Sequence, residues 1–381
     1  MANKAQQGQA ALLIYIEPTP YLLGLIRRIA KSCKAPVEVL FIAANLSQPW
    51  NLSLSGVSAS YLPGGTLAAA LEIARQLSTG RYRLLHLAGW GHRTLLLALL
   101  LAWLYRVPVF MESDTQLPVG LPLWKRAVKR LLYPLLFRIP QRVLPGGSRQ
   151  AEYFRHYGVG SDRIVKAQMT VDVAGIMSCS EALRKQETRP ALRNEFGFSE
   201  SQVVFIYVGR LETYKGIESL LDAFDRLSRT HPEAALLVVG DGSERRRVEA
   251  ASRVKESIHF VGRLDYDQVI RAYNCADIAV VPSILEPWGL VVNEAMAVGL
   301  PVIVSDRVGC VDDLVEHGET GMMYHAGSIE ELNMCMMYLL ENPNQRTEMG
   351  KAGRRLISGW TLEQEARTTV ETWCLSICCG I

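Results

Sequence analysis

The chain has 381 residues, 49% of them apolar and 21% charged, with a formal net charge of +3. That length exceeds one ordinary hydrophobic core and points to two domains, and the composition excludes wholesale disorder. The charge is uneven: residues 1–176 hold 20 basic and 8 acidic side chains (+12) and the remainder 21 and 30 (−9). A basic first half suits an anionic partner such as nucleic acid, anionic lipid or a phosphorylated substrate.

The first residues, MANKAQQGQA, lack the basic, apolar and cleavage-site succession of a signal peptide. Short apolar runs then alternate with helical patterns: ALLIYI, PYLLGLIRRIA and VEVLFIA, later YRLLHLAG, RTLLLALLLAWLY and VPVFMES. Strands alternating with helices predict parallel βαβ units. The run TLLLALLLAWLY (94–105) is too short to span a bilayer and is flanked by His92, Arg93 and Arg106, so a buried helix is expected. LPLWKRAVKRLLYPLLFR (121–138) mixes Trp124, Leu131, Leu132 and Leu135 with Lys125, Arg126, Lys129, Arg130 and Arg138. A helix lying on an anionic membrane has that make-up, and so does a helix packed on its domain with a solvated basic face.

After a polar stretch, SCSEALRKQETRP (178–190), the alternation restarts: QVVFIYVG, GIESLLDAFDRLSR, AALLVVGDG, IHFVGR, DIAVVPS, LVVNEAMAVG and PVIVSD. Continuous Val, Ile and Leu runs are what strands covered on both faces look like. The expected fold class is therefore α/β, two doubly wound domains with a cleft between them. In open α/β sheets ligands settle beyond the carboxyl ends of the strands. In the second half those ends read YVGRLETYKG, VVGDGSE, FVGRLDYDQ and VVPSILEPWGL. The eight cysteines (33, 179, 275, 310, 335, 374, 378 and 379) show no paired spacing and no partnering histidine cluster. Zinc and disulfide frameworks are not expected, and a reducing cytosol fits.

In YVGRLETYKG, Gly209 ends a strand, Arg210 and Lys215 are loop cations, and Gly216 opens a helix. Such a loop receives phosphate or diphosphate, unless it is a solvated loop with two surface cations. Neither GxxxxGK[ST] nor GxGxxG is present. In EPWGLVVNEAMAVGLPVIVSD (286–306), Glu286 and Glu294 flank a helix start whose Gly289 and Leu290 amides can face a phosphate. Each acid also has a plain reading, Glu286 as a solvated loop acid and Glu294 as a partner of the positive helix end. DYD (265–267) nominally matches a metal-binding DxD, but Asp265 and Gln268 also make a capping-box start for a helix, and the cap is the expectation.

These segments together resemble the retaining family 4 glycosyltransferases (glycosyl transferases group 1). The stretch from Glu286 looks like that family's E-x7-E signature and VGRLETYKGIESLLDAF like its diphosphate-binding segment; HFVGRL, HGETGMMY and GWTLEQEA also match. GVGSDRIVKAQMTVD resembles the end of the family's first domain, with Asp172 at the usual acid. The resemblance is strong over 195–370, weaker over 142–172 and faint before that. It implies the two-Rossmann GT-B fold: an acceptor domain over 1–176, a nucleotide-sugar donor domain over 177–358, and a helix over 359–381 returning to the first. It also implies transfer of a sugar from a nucleotide-diphosphate sugar to a hydroxyl with retention, without metal or cofactor. Arg210 and Lys215 would carry the diphosphate charge, Glu286 the donor sugar and Glu294 the ribose. Gly209, Gly289, Leu290 and Val291 would face phosphates and nucleotide, and Arg263 and Leu264 the base.

The first half departs from that pattern. Where many relatives carry a glycine-rich acceptor loop and a histidine, this chain reads IEPTPYLLG and MESDTQ. Asp114 is expected near the reacting carbon, and His86 either as an acceptor residue or as a satisfied strand-end histidine. The expected setting is bacterial polysaccharide or lipid-linked glycan assembly, in the cytoplasm or on the inner face of the membrane through 121–138. The alternatives are the same chemistry on a soluble acceptor and a non-catalytic nucleotide-sugar binder. Nucleic acid is not an expected partner, because no recognised module accompanies the basic residues.

Overall fold

A computed structural model describes residues 10–44, 52–118 and 120–376, so the first nine residues, Cys378 and Cys379 lie outside the described residues. The chain divides into two units, residues 1–169 with 362–381 and residues 170–361.

The first unit holds strands β1 (Ala10–Tyr15), β2 (Val37–Phe41), β3 (Ala59–Tyr61), β4 (Tyr82–Leu87), β5 (Val109–Ser113) and β6 (Arg142–Pro145). Its helices are α1 (Pro20–Ser32), α2 (Thr66–Ser78), α3 (Arg93–Leu104), α4 (Leu123–Leu136) and α5 (Ser148–His156). All strand pairings are parallel, in the order β3-β2-β1-β4-β5-β6. Every residue of β1 is buried, as a central strand covered on both faces requires. Helix α1 starts where Thr19 caps the Leu22 amide and Pro20 sets the first turn, and it turns Leu22, Leu25, Ile26 and Ile29 inward.

Two apolar segments meet different fates. Helix α3, expected to be buried, is buried on one side only: Leu95, Ala98, Leu99 and Ala102 face the sheet, while Leu100, Trp103 and Leu104 are exposed. Helix α4 has no buried residue at all. It is held by Tyr133, whose ring meets Trp90 and Tyr157 edge-on, with Phe137 just beyond its end.

The second unit repeats the plan with β7 (Val203–Val208), β8 (Ala234–Val239), β9 (Ile258–Gly262), β10 (Ile278–Val281), β11 (Val302–Ser305) and β12 (Gly321–Tyr324). Its helices are α6 (Val173–Gln186), α7 (Arg189–Glu195), α8 (Ile217–Thr230), α9 (Arg245–Val254), α10 (Tyr266–Cys275), α11 (Leu290–Val298), α12 (Val311–Leu314), α13 (Ile329–Glu341) and α14 (Pro343–Ile357). The order β12-β11-β10-β7-β8-β9 is again fully parallel. The polar stretch at 178–190 is not loop throughout; it includes the second half of α6, which Asp172 caps through the Gly175 amide. The last helix, α15 (Leu362–Ser376), belongs to the first unit, where Leu362 lies against Gly24 of α1 and Trp373 is fully buried.

Each sheet thus has one point where strand order reverses, between β1 and β4 and between β7 and β10. Loops leaving two such neighbours in opposite directions open a crevice at the carboxyl ends of the strands.

Candidate active site

In the second unit the loops after β7 and β10 lean on each other. Gly216 has φ of 72°, a left-handed conformation open to glycine, and a Cβ there would stand 2.0 Å from the Pro282 carbonyl oxygen. The amides of Ile284 and Leu285 donate to the Tyr214 carbonyl at 2.8 and 3.2 Å. This contact brings Lys215 to Glu286, 71 residues apart in sequence: Nζ donates to Oε2 in a salt bridge with side chains 15% and 12% exposed. Ser283 Oγ also donates to Glu286 Oε2, at 3.4 Å. Arg210 is exposed, its backbone fixed by the Tyr207 phenol at 2.7 Å, and Arg210 and Lys215 each lie 5.7 Å from the Tyr214 ring centroid. Gly209 ends β7 with its amide on the Val239 carbonyl.

Glu286 is anchored from the other side by a parallel bridge to Val308, with the Gly309 amide on its carbonyl at 2.9 Å. Three residues on, Gly289 (φ 101°) stands as the N-cap of α11 with no side chain, and a Cβ would press to 2.5 Å from Val308 Cγ1. The Leu290 and Val291 amides begin the nine-residue helix, in the positions that have no intrahelical acceptor. Behind this start, buried Trp288 donates its indole N–H to Asn293 Oδ1 at 3.1 Å, and Asn293 donates to Thr170 Oγ1 at 3.3 Å. Trp360 stacks on Trp288 with centroids 5.7 Å apart. These supports escaped sequence reasoning, although the tryptophan between Pro287 and Gly289 was a visible sign of an anchored turn.

Glu294 lies in the second turn of α11, where the Tyr273 phenol of α10 donates to Oε2 at 3.1 Å. Burial pushes its carboxyl up to about 7, the Tyr273 bond pulling the other way. The Tyr266 phenol is raised by burial first and then by the charges of Glu294 and Asp172. Arg263 is exposed and Leu264 half-buried after β9, the edge strand two places from β7. Asp265 accepts from the Gln268 amide while the Gln268 side chain accepts from the Asp265 amide, so the DYD motif opens α10 with a capping box.

A lysine and a carboxylate locked across the switch point, beside a helix N-terminus and a second cation, can hold a diphosphate and a hydroxyl-bearing group together.

In the first unit the structure favours the second of the two readings of His86, the satisfied histidine. His86 is fully buried, with Nδ1 accepting from the Trp373 indole and Nε2 facing Glu112, so it meets no acceptor. Asp114 is exposed, just past the end of β5. Glu112, two residues earlier and passed over in the sequence, is the carboxylate that the surrounding side chains orient.

Two family descriptions match in tandem, "Glycosyl transferase 4-like domain" over residues 18–166 and "Glycosyl transferases group 1" over residues 188–356. The chain belongs to the group 1 glycosyl transferases. The sulfoquinovosyl transferase SQD2 of Arabidopsis thaliana is 30% identical over 276 residues, covering 68% of this chain and 50% of that protein. A GDP-mannose-dependent monoacylated alpha-(1-6)-phosphatidylinositol monomannoside mannosyltransferase of Corynebacterium glutamicum is 31% identical over 197 residues, 48% of this chain and 51% of that protein. These alignments span about half the length of the relatives. The crystal structure of Anabaena Alr3699/HepE with UDP superposes at a TM-score of 0.76 with 18% identity, covering 96% of this chain and all of that one. The architecture of this group 1 member is accordingly the paired-Rossmann GT-B fold.

Proposed function

We propose that the chain transfers a sugar from a nucleotide-diphosphate sugar to a hydroxyl acceptor with retention at the anomeric carbon, without a metal or other cofactor. The observation that carries this reading is the Lys215–Glu286 pair joining the two switch-point loops of the donor unit beside the N-terminus of α11. In this reading Arg210, Lys215 and the α11 amides stabilise the negative charge that grows on the diphosphate as its bond to the sugar breaks. Glu286 holds the sugar's hydroxyls and Glu294 those of the ribose. Gly209, Gly289, Leu290 and Val291 line the phosphates, and Arg263 and Leu264 lie toward the base. The names of the relatives support a nucleotide-sugar donor: one is GDP-mannose-dependent, and HepE was solved with UDP.

The acceptor belongs to glycan or lipid-linked chemistry, reached from the cytoplasmic face of a membrane. The support is α4, which leaves Leu123, Trp124, Leu131, Leu132 and Leu135 each more than half exposed among Lys125, Arg126, Lys129 and Arg130. Among the described residues no helix is long and apolar enough to cross a membrane, so attachment would be peripheral.

A thermal-shift screen against UDP-, GDP- and ADP-sugars identifies the donor, and NMR of the product in excess chelator reads the new anomeric centre. The expected product keeps the donor's configuration, and Glu286→Ala abolishes most turnover. An inverted product, or turnover lost on chelation and restored by a divalent ion, overturns the mechanism.

A further inference from the structure

Glu112 lies near the end of β5, next to the switch-point strand β4, and its carboxylate is engaged on one oxygen only. Oε2 accepts from the Tyr15 phenol and faces His86 Nε2, both at 3.1 Å, and among the described residues Oε1 has no bond. His86 Nδ1 accepts from the Trp373 indole N–H at 3.2 Å. An indole nitrogen only donates, so Nδ1 carries no proton and the Nε2–H is aimed at Glu112. His86 and Trp373 are 0% exposed and Tyr15 3%, whereas the Glu112 side chain keeps 27% of its surface. Three buried donors from β1, β4 and α15 thus orient a group that water would have solvated unaided.

A buried polar chain is costly unless every member is paired, and this one is paired throughout. Its outcome is a carboxylate with one oxygen fixed and the other facing out at the ligand-binding end of the sheet. An anionic group placed there would be repelled, and an apolar one would strip water from Oε1 without replacing it. A neutral hydroxyl donates to it directly.

We propose that Oε1 of Glu112 binds a hydroxyl of a sugar or polyol acceptor, with Tyr15, His86 and Trp373 as the residues that position it. This rests on the reading of the chain as a glycosyltransferase.

The test uses the whole chain, first titrated with UDP, GDP and ADP and then, nucleotide-loaded, with myo-inositol and with glucose, by saturation-transfer NMR. The wild type binds at least one of these probes saturably. Glu112→Gln keeps the shape, but its carbonyl takes the Tyr15 and His86 bonds and turns an amide N–H outward. Probe affinity then falls about tenfold or more while nucleotide affinity stays within about twofold. Tyr15→Phe and Trp373→Phe each weaken the probe about threefold with the same unchanged nucleotide binding, a split that a purely structural role would not give. These two variants also serve if Glu112→Gln does not fold. Equal probe binding by wild type and variants, or no saturable probe binding by the loaded wild type, overturns the proposal. A wild type that binds none of the three nucleotides fails at the first titration, which overturns the donor-site reading and the proposal with it.

Discussion

The Tyr273 phenol donates a hydrogen bond to Oε2 of Glu294 across 3.1 Å, tying α10 to α11 at a carboxyl that burial holds near 7. A folded-state value above the ordinary carboxylate range means that the folded chain binds this proton more tightly than the unfolded one. The stability so gained is present below about pH 4.5 and is lost as pH rises through about 7, up to about 3 kcal/mol in all. Glu294→Gln removes the cost of burying the charge. Calorimetry should find its melting temperature several degrees above wild type at pH 8 and close to wild type at pH 4.5. Equal shifts at both values would remove Glu294 from this account.

The same carboxyl should make nucleotide binding depend on pH. Ribose hydroxyls donate to the ionised form, so the bound state favours loss of the proton that the free protein keeps below about 7. Affinity is expected to rise as pH climbs from 5.5 toward 7, by at most about tenfold per unit, and then level off. In Glu294→Gln the profile should be flat and the affinity lower throughout. Titration calorimetry at three pH values reads both.

Lys215 and Glu286 offer a separable test of structure and chemistry. Removing either partner takes the ion pair away from a charge that is mostly buried, a cost of about 3 to 5 kcal/mol. Lys215→Met and Glu286→Leu should each lower the melting temperature markedly, and the double variant should regain much of that loss while remaining inactive. A double variant that transfers sugar would exclude the pair from the reaction.

Helix α4 predicts salt-sensitive attachment to anionic vesicles. Flotation with phosphatidylglycerol-containing liposomes at low salt should recover the wild type. Replacing the exposed Trp124, Leu131 and Leu135 by Ser should leave the protein in solution, with nucleotide affinity unchanged. Wild-type protein that stays in solution at low salt would make α4 an ordinary surface helix.

What the sequence made legible was local. Glycine, proline and charge at strand ends marked the loops after β7 and β10, because a turn's chemistry is written in the residues that form it. The E-x7-E spacing placed Glu286 before α11 and Glu294 within it. Pairings across long separations were not legible: Lys215 with Glu286, Tyr273 with Glu294, and Trp288 with Trp360 depend on how the elements pack. His86 kept two readings, acceptor residue or satisfied histidine, because the residue that donates to its Nδ1, Trp373, is 287 positions away. Helix α4 gave the reverse case: its composition left two readings open, and only the packing revealed that none of its residues is buried.

The central claim, that the switch-point loops of residues 170–361 hold a nucleotide diphosphate, is tested most directly by equilibrium titration of wild type and Lys215→Ala with UDP, GDP and ADP. At least one nucleotide is expected to bind the wild type saturably and at least about tenfold more weakly in the variant, the loss of a charge-assisted contact to the diphosphate. Binding of none of them, or equal affinity in the two proteins, would contradict it.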